Sequence, residues 1–237
     1  MQRKSLISIL AVAGGALVLV VALVIASQVT GKKPSSTKID LGMAASTNEM
    51  LSGIPQQGVA LGNPKAKLTL IEFADLQCSA CADFSANTLP QLIQDFVRTG
   101  KVRIEFQGQT LIDTFRKGSE DSNRLLRMAL AAGEQNKLWQ FAEIVYSNQG
   151  GEDSGYATDS YLTAVANAIP GLDVPKAVAA RDASQFTSAI KASKSRWKAA
   201  GYNGTPAFLL GPTGKRPAIK IARYDEVASN IRAALIS

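Results

Sequence analysis

Apolar positions change their spacing twice between residues 67 and 106. Residues 67–73 form a short, mostly apolar run between turn residues, which predicts a buried strand. Apolar side chains then recur at helical spacing over residues 82–97, where Pro90 predicts a kink. Gly100 ends this helix, and residues 102–106 alternate apolar and polar side chains as a strand does. The order strand–helix–strand predicts a parallel pair of strands joined by a right-handed crossover.

From about residue 115 to residue 200 the apolar spacing is helical. Short breaks rich in glycine and proline divide this block, which predicts several core-facing helices. Residues 206–210 and 218–221 then predict a hairpin, and residues 224–236 predict a closing amphipathic helix. Together these elements predict an α/β fold with a mixed sheet and a helical insertion at about 115–200.

The N-terminal segment is apolar enough to cross a membrane. Residues 6–31 carry no charged side chain, and a helix rising about 1.5 Å per residue would span a hydrocarbon core of about 30 Å there. We therefore predict a cytoplasmic tail and transmembrane signal-anchor over residues 1–31, with a single-pass location in the cell membrane. A cleaved signal peptide is the alternative, since residues 24–26 offer small side chains at a possible cleavage site. Either interpretation exports the rest of the chain.

Beyond this segment the composition predicts two further regions. Residues 32–58 are rich in Ser, Thr, Gly, Pro and Gln, which predicts a linker with at most a short ordered stretch near residues 43–51. Residues 59–237 are predicted to form the folded domain.

Charge and residue content exclude some functions. The chain of 237 residues has a net charge of +7, but residues 1–33 hold basic side chains and no acid, so the remainder is only weakly basic. That balance does not indicate nucleic-acid binding. The chain has no histidine and two cysteines, so a four-ligand zinc site would need carboxylates or a second chain. We predict no metal.

The two cysteines, Cys78 and Cys81, lie where the first predicted strand gives way to a helix. A disulfide between them would close a very small loop, which stabilises a fold little. A thiolate at the start of a helix is favoured by unpaired backbone N–H groups and by the helix dipole. A lower pKa makes Cys78 a better leaving group, and Cys81, one turn later, can attack a mixed disulfide. The pair predicts a redox centre.

Two segments resemble the DsbA-like branch of the thioredoxin superfamily. Residues 73–84, FADLQCSACADF, are similar to its active-site segment. Residues 201–208, GYNGTPAF, are similar to its Gly-Thr-Pro loop. The similarity runs from about residue 59 to residue 235, with the two motifs at opposite ends of the helical insertion. The resemblance implies a thioredoxin-like fold and a thiol:disulfide oxidoreductase without a cofactor beyond its own disulfide.

The resemblance also implies roles for single residues. Cys78 matches the exposed nucleophile and Cys81 the buried partner. Pro206 matches a cis-proline beside the disulfide, and Thr205 offers backbone hydrogen bonds to an extended substrate. An ordinary trans turn is the alternative at that bond. Glu72 matches a partly buried carboxylate that shuttles protons for the second cysteine, although a solvent-facing glutamate paired with lysine is also possible.

Ser79 and Ala80 are where the chain departs from the pattern. Strong oxidases of this branch commonly carry Pro-His between the cysteines, and that histidine stabilises the thiolate. Ser79 offers one hydroxyl and Ala80 only its backbone, although we expect both to meet the substrate. A neutral donor stabilises a thiolate less than a cation does. We therefore predict a reduction potential less oxidising than that of the Pro-His members.

The resulting functional hypothesis is an oxidase that introduces disulfide bonds into unfolded exported proteins. The resemblance implies that a membrane quinone-linked partner, of the DsbB or vitamin K epoxide reductase type, restores its disulfide. Two alternatives stay open. One is a reductase or isomerase kept reduced by a membrane electron carrier, and the other is a tethered chaperone that does not need its thiols.

Overall fold

The computed structural model describes residues 39–116 and 118–236. These residues form a six-stranded mixed sheet, ordered β1-β2-β4-β3-β5-β6, with helices on both faces. The strands are β1 Gln56–Gln57, β2 Ala60–Leu61, β3 Leu68–Asp75, β4 Val102–Gln109, β5 Ala207–Pro212 and β6 Ile219–Ile221. The helices are α1 Ala44–Leu51, α2 Ser79–Asn87, α3 Leu89–Leu92, α4 Leu111–Arg116, α5 Asp121–Gly133, α6 Leu138–Tyr146, α7 Asp159–Asn167, α8 Val174–Ala180, α9 Ser184–Ala199 and α10 Val227–Ile236.

Strand β3 lies at the centre of the sheet, and all eight of its residues are buried. It pairs in parallel with β4 and antiparallel with β5, so the predicted crossover and the mixed sheet are both confirmed. Alternate residues of a strand point to opposite faces. Leu70 and Ala74 belong to the larger hydrophobic cluster, whereas Ile71 and Phe73 belong to a smaller cluster with Trp197.

The predicted kink at Pro90 is a break between two helices. Helix α2 ends at Asn87, and α3 begins at Leu89 with Pro90 in its first turn. Proline has no N–H to donate, and the first turn of a helix is where that donor is least needed. A π-helical turn, Ile93–Val97, then leads towards β4.

The helical insertion runs from Leu111 to Ala199, close to the predicted range. Every residue of α6 is buried, so α6 is the central helix of this block. The insertion meets the sheet at Gly108 of β4, where a Cβ atom would lie 2.1 Å from Cδ1 of Leu126 in α5. Because no side chain fits there, the glycine lets α5 pack directly on the strand.

The second half of the predicted linker 32–58 belongs to the folded body, which corrects that boundary. Helix α1 occupies residues 44–51, and Leu51 is buried in the main core. Arg98 donates to the carbonyl oxygens of Met50 and Ser52, at 2.7 and 3.2 Å. The polar composition of this segment hid the few apolar side chains that attach it.

The predicted tail and membrane anchor, residues 1–31, lie outside the described residues. Across residues 39–116 and 118–236, no helix combines the length and the apolar character needed to cross a membrane.

Candidate active site

Cys78 occupies the N-cap position of α2, directly after the turn that follows β3. The turn is closed by the Cys78 amide, which donates to the Asp75 carbonyl oxygen at 3.0 Å. The amides of Cys81 and Ala82 then donate to the Cys78 carbonyl oxygen, each at 3.1 Å, and start the helix. The structure therefore confirms that the two cysteines lie where strand β3 gives way to helix α2.

The surroundings of Cys78 favour its thiolate. The pKa of Cys78 is lowered to about 6, and the largest cause is a hydrogen bond with the Cys81 thiol. Burial alone would raise this pKa. The Thr205 side chain and the amides of Cys81 and Ala80 lower it further. Cys78 is 8% exposed. Cys78 is therefore buried, which differs from the exposed nucleophile that the family resemblance implied, although it is less enclosed than Cys81. Backbone donors and a second thiol stabilise its negative charge.

Cys81 has the opposite surroundings. Its side chain is completely buried. Burial raises the pKa of Cys81 well above its usual range, and the neighbouring Cys78 raises it further. Both residues are free thiols in this structure. At neutral pH the reduced pair therefore consists of a Cys78 thiolate and a protonated Cys81.

The Gly-Thr-Pro loop lies against the reactive sulfur. The Cys78 thiol donates to the Thr205 carbonyl oxygen at 3.4 Å, and the Thr205–Pro206 bond is cis. The alternative of a trans turn is therefore wrong. Trp197 of α9 donates to the Gly204 carbonyl oxygen at 3.1 Å and fixes the loop from the insertion side.

Glu72 lies in the interior. It is 2% exposed, it points to the same face of β3 as Leu70 and Ala74, and its Oε2 atom has no hydrogen-bond partner. Burial raises the pKa of Glu72 well above its usual range, and Glu143 raises it further. The alternative of a solvent-facing glutamate paired with lysine is therefore wrong. Cys81 belongs to the hydrophobic cluster on this same face.

A second buried acid, Glu143 of α6, escaped the sequence analysis. It is 3% exposed and accepts a hydrogen bond from the Ser85 hydroxyl, which lies one helical turn after Cys81. Burial raises the pKa of Glu143 to about 7. A single acid within the mostly apolar sequence of α6 was the signal that could have found it.

Buried polar groups also hold the turn before Cys78. Asp75 accepts from the amides of Gln77 and Ile112, each at 3.0 Å. The Gln77 side chain donates to Asp113 at 2.8 Å and to Ser122 at 2.9 Å. The turn is thereby tied to α4 and α5, so the insertion positions the reactive sulfur. Asp75 is the third residue of the segment FADLQCSACADF, and bracing this turn is the role the structure gives it.

Ser79 and Ala80 are both exposed, so the residues between the cysteines face solvent. Pro206 is buried and Thr205 is partly exposed. In the described part of the chain, no group of three or more His, Cys, Asp or Glu side chains is arranged to hold a metal ion.

A thioredoxin-like sheet, a helical insertion, and a Cys-X-X-Cys pair at a helix start beside a cis-proline together define the class of DsbA-like thiol:disulfide oxidoreductases. A family profile described as Thioredoxin matches residues 55–226, so the chain belongs to the thioredoxin family.

Curated relatives carry names from disulfide formation. A probable disulfide bond formation protein D of Bacillus cereus is 30% identical over 134 residues, which cover 54% of this chain and 56% of that protein. Disulfide bond formation protein D of Bacillus subtilis is 23% identical over 192 residues, which cover 78% of this chain and 81% of that protein. The match to the first of these therefore spans only a little more than half of the relative's length.

Solved structures agree on the fold. Oxidised BdbD from Bacillus subtilis has a TM-score of 0.60 at 20% identity and covers 78% of this chain and 98% of its own. MdbA, a thiol-disulfide oxidoreductase from Corynebacterium matruchotii, has a TM-score of 0.61 at 17% identity and covers 79% and 96%. The predicted thioredoxin-like fold with its helical insertion is thus confirmed.

Proposed function

We propose that this chain is an extracytoplasmic thiol:disulfide oxidoreductase that introduces disulfide bonds into exported proteins through Cys78 and Cys81. The observation that carries the proposal is the unequal surroundings of the two thiols. The low pKa of Cys78 makes its sulfur a good leaving group, and a stable thiolate in the reduced form makes the disulfide form an oxidant. Relatives named for disulfide bond formation support the same direction.

In the proposed reaction, a substrate thiolate attacks the Cys78 sulfur and breaks the Cys78–Cys81 bond. Cys81 leaves as a thiolate and takes up a proton, which its burial demands. A second substrate thiolate then attacks the substrate sulfur of the mixed disulfide and releases Cys78. The substrate loses two electrons and two protons, and the pair gains both electrons. One proton stays on Cys81, and the other passes to solvent because Cys78 remains ionised at neutral pH.

Glu72 is the proposed source of the proton that Cys81 takes up. Its carboxyl group is buried on the face of the sheet where Cys81 lies, and its raised pKa favours the protonated form that can donate. Thr205, Pro206, Ser79 and Ala80 are the proposed substrate contacts. Thr205 binds the Cys78 sulfur, Pro206 follows it in the chain, and Ser79 and Ala80 are exposed between the cysteines. We propose no cofactor besides the disulfide.

Trapping of free thiols in intact cells tests the direction of electron flow. An oxidase keeps Cys78 and Cys81 largely disulfide-bonded, so an alkylating reagent of high mass added at lysis leaves the protein unshifted on a gel. A mostly reduced pair would instead support the reductase or isomerase. A Cys78→Ser, Cys81→Ser double variant that retained full function would support the thiol-independent chaperone.

A membrane anchor over residues 1–31 and a quinone-linked reoxidase of the DsbB or vitamin K epoxide reductase type complete the proposal. The uncharged stretch 6–31 supports the anchor. Carbonate extraction and protease treatment of spheroplasts test it. Without protease, an anchored protein keeps its full mass and stays with the membrane pellet. Protease added to spheroplasts degrades it from outside. Release in soluble form would favour cleavage instead. Loss of the reoxidase should leave the pair reduced.

A further inference from the structure

A carboxylate binds the first amide of the active-site helix. The Ser79 N–H, directly after Cys78, donates to Oε1 of Glu152 at 3.3 Å. The other oxygen of Glu152 pairs with Arg116, the last residue of α4, at 3.2 Å. The side chain of Glu152 is 24% exposed and that of Arg116 is 57% exposed. A negative and a positive charge from two parts of the insertion therefore meet at the reactive motif.

The loop that carries Glu152 is fastened on both sides of it. Gln149 donates to the carbonyl oxygens of Leu76 and Cys78, at 2.9 and 3.3 Å. The Asp153 amide donates to Oε1 of Gln77 at 2.7 Å. These contacts attach the loop to the residues immediately before α2. The Glu152 carboxylate is thus held in place over the start of the helix.

This position opposes what the helix start does for Cys78. Unpaired amides and the helix dipole favour negative charge at that end, and a thiolate there competes with any other anion for them. The amides of Ala80 and Cys81 support the Cys78 thiolate, whereas the Ser79 amide donates to Glu152. Glu152 also carries a negative charge at the amide that directly follows Cys78, and a like charge there disfavours ionisation of the Cys78 thiol.

We propose that Glu152, bound to the Ser79 amide and paired with Arg116, sets the redox poise of the Cys78–Cys81 pair by opposing the charge that forms on Cys78 when the disulfide is reduced. Glu152 is a positioning residue in this role, because it acts through the helix start and does not touch the sulfur. Arg116 limits the effect by neutralising part of the Glu152 charge. The inference rests on the proposed thiol–disulfide exchange and adds to the effect of the missing histidine between the cysteines.

Other charged groups near the motif are unchanged by a substitution at Glu152. Cys81 lies behind Cys78, Asp75 is buried beneath the turn, and Asp113 binds the Gln77 side chain. None of these three groups contacts the Glu152 carboxylate in the hydrogen bonds described above. A change of one charge at residue 152 therefore isolates its own contribution.

The test compares Glu152→Gln, Arg116→Gln and the control Glu49→Gln. Glu49 lies on α1, is exposed and undergoes the same chemical change. The first readout is the equilibrium with reduced and oxidised glutathione. Charges at helix ends are worth enough to shift such an equilibrium about two- to fivefold. Glu152→Gln should favour the reduced protein by that factor, Arg116→Gln should favour the disulfide, and Glu49→Gln should leave the equilibrium unchanged.

The second readout is the pH dependence of Cys78 alkylation, which does not require the disulfide. Its midpoint should fall in Glu152→Gln and rise in Arg116→Gln. Circular dichroism and thermal melting confirm that each variant is folded, and the two opposite shifts distinguish charge from a general loosening of the site. Equal midpoints and equilibria in Glu152→Gln and Glu49→Gln would overturn the inference. If the wild-type pair formed no disulfide with glutathione while the midpoints still shifted, the proposed exchange would fail and the electrostatic role of Glu152 would stand.

Discussion

The two cysteines are three residues apart, yet their surroundings have opposite effects on the pKa of the thiol. On the outer side, Cys78 meets backbone amides, the Thr205 loop and solvent, and its pKa falls to about 6. On the inner side, Cys81 is completely buried, and burial together with the neighbouring Cys78 raises its pKa. The same side chain is therefore an anion in one place and a neutral acid in the other.

This difference decides which of the two sulfurs reacts with the substrate. The Cys78 sulfur lies beside the exposed residues Ser79 and Ala80, where a large substrate can reach it, whereas the completely buried Cys81 can meet only its neighbour. Charge on the outer sulfur is stabilised by fixed dipoles, but charge on the inner sulfur must be removed by a proton. The buried acids Glu72 and Glu143, both with raised pKa values, are suited to supply one.

Single serine substitutions give the largest test of this contrast. Cys78→Ser should abolish disulfide exchange with a reduced peptide. Cys81→Ser should keep the nucleophile and accumulate mixed disulfides, because no second thiol remains to resolve them. A non-reducing gel and a peptide oxidation assay measure both. The chain has only two cysteines, so every adduct of Cys81→Ser must be on Cys78. Exchange that survived in Cys78→Ser would contradict the assignment of Cys78 as the sulfur that reacts with the substrate.

Glu72→Gln tests the inner side alone. A positioned proton donor contributes about 10²- to 10⁴-fold to a rate, so exchange should slow by about a hundredfold or more while alkylation of Cys78 keeps its midpoint. Stopped-flow fluorescence with a reduced peptide measures the rate. Glu105→Gln is the control, since Glu105 lies on the neighbouring strand in an ion pair with Arg103. Equal rates in Glu72→Gln and Glu105→Gln would show that Glu72 does not donate the proton.

Glu143→Gln tests what the buried acid does to stability. The pKa of Glu143 is raised to about 7, so the folded state holds that proton more tightly than the unfolded state. Its contribution to stability is complete below the unfolded pKa of 4.5 and is lost as the pH rises towards 7. The neutral variant avoids this loss, and at pH 8 it should be more stable by on the order of 3 kcal/mol.

Urea unfolding of Glu143→Gln and wild type at pH 5 and pH 8 measures this difference. The gain should be small at pH 5 and large at pH 8, while the exposed control Glu49→Gln should change neither value. A gain of the same size at both pH values would show that ionisation of Glu143 is not its cause.

Thr205→Val tests one of the groups that stabilise the Cys78 thiolate, and it has the smallest expected effect. The variant keeps the shape of the side chain but removes the hydroxyl that supports the Cys78 thiolate. One hydrogen bond is worth enough to raise the alkylation midpoint by up to about one pH unit. Thr213→Val is the control, because its hydroxyl bonds to Thr69 at the other end of β5. An unchanged midpoint would leave the helix amides and Cys81 as the support for the thiolate.

Local patterns were enough to predict the strand–helix–strand unit and the position of the cysteines, because hydrophobic period and breakers decide both. Pro206 and the burial of Glu72 needed the family resemblance, since the residues around each of them also suit an ordinary turn and a surface strand. The apolar run of α6 marks Glu143 as unusual, but the contacts of Glu143 and Glu152 could not be predicted. Their partners Ser85 and Ser79 are 58 and 73 positions away in sequence, and only the packing of the insertion on α2 brings them together. The attachment of α1 depends on similar distant contacts.

Gly108 has a consequence for building chimeric proteins. The strand and helix α5 touch at a place where even a methyl group has no room, because the Leu126 side chain fills it. A helical insertion transplanted from a relative would carry its own residue to that place and would need a matching one on β4. The two positions should therefore be exchanged as a pair. A graft that moves the insertion while leaving β4 behind should fold poorly, even when every residue of the redox centre is retained.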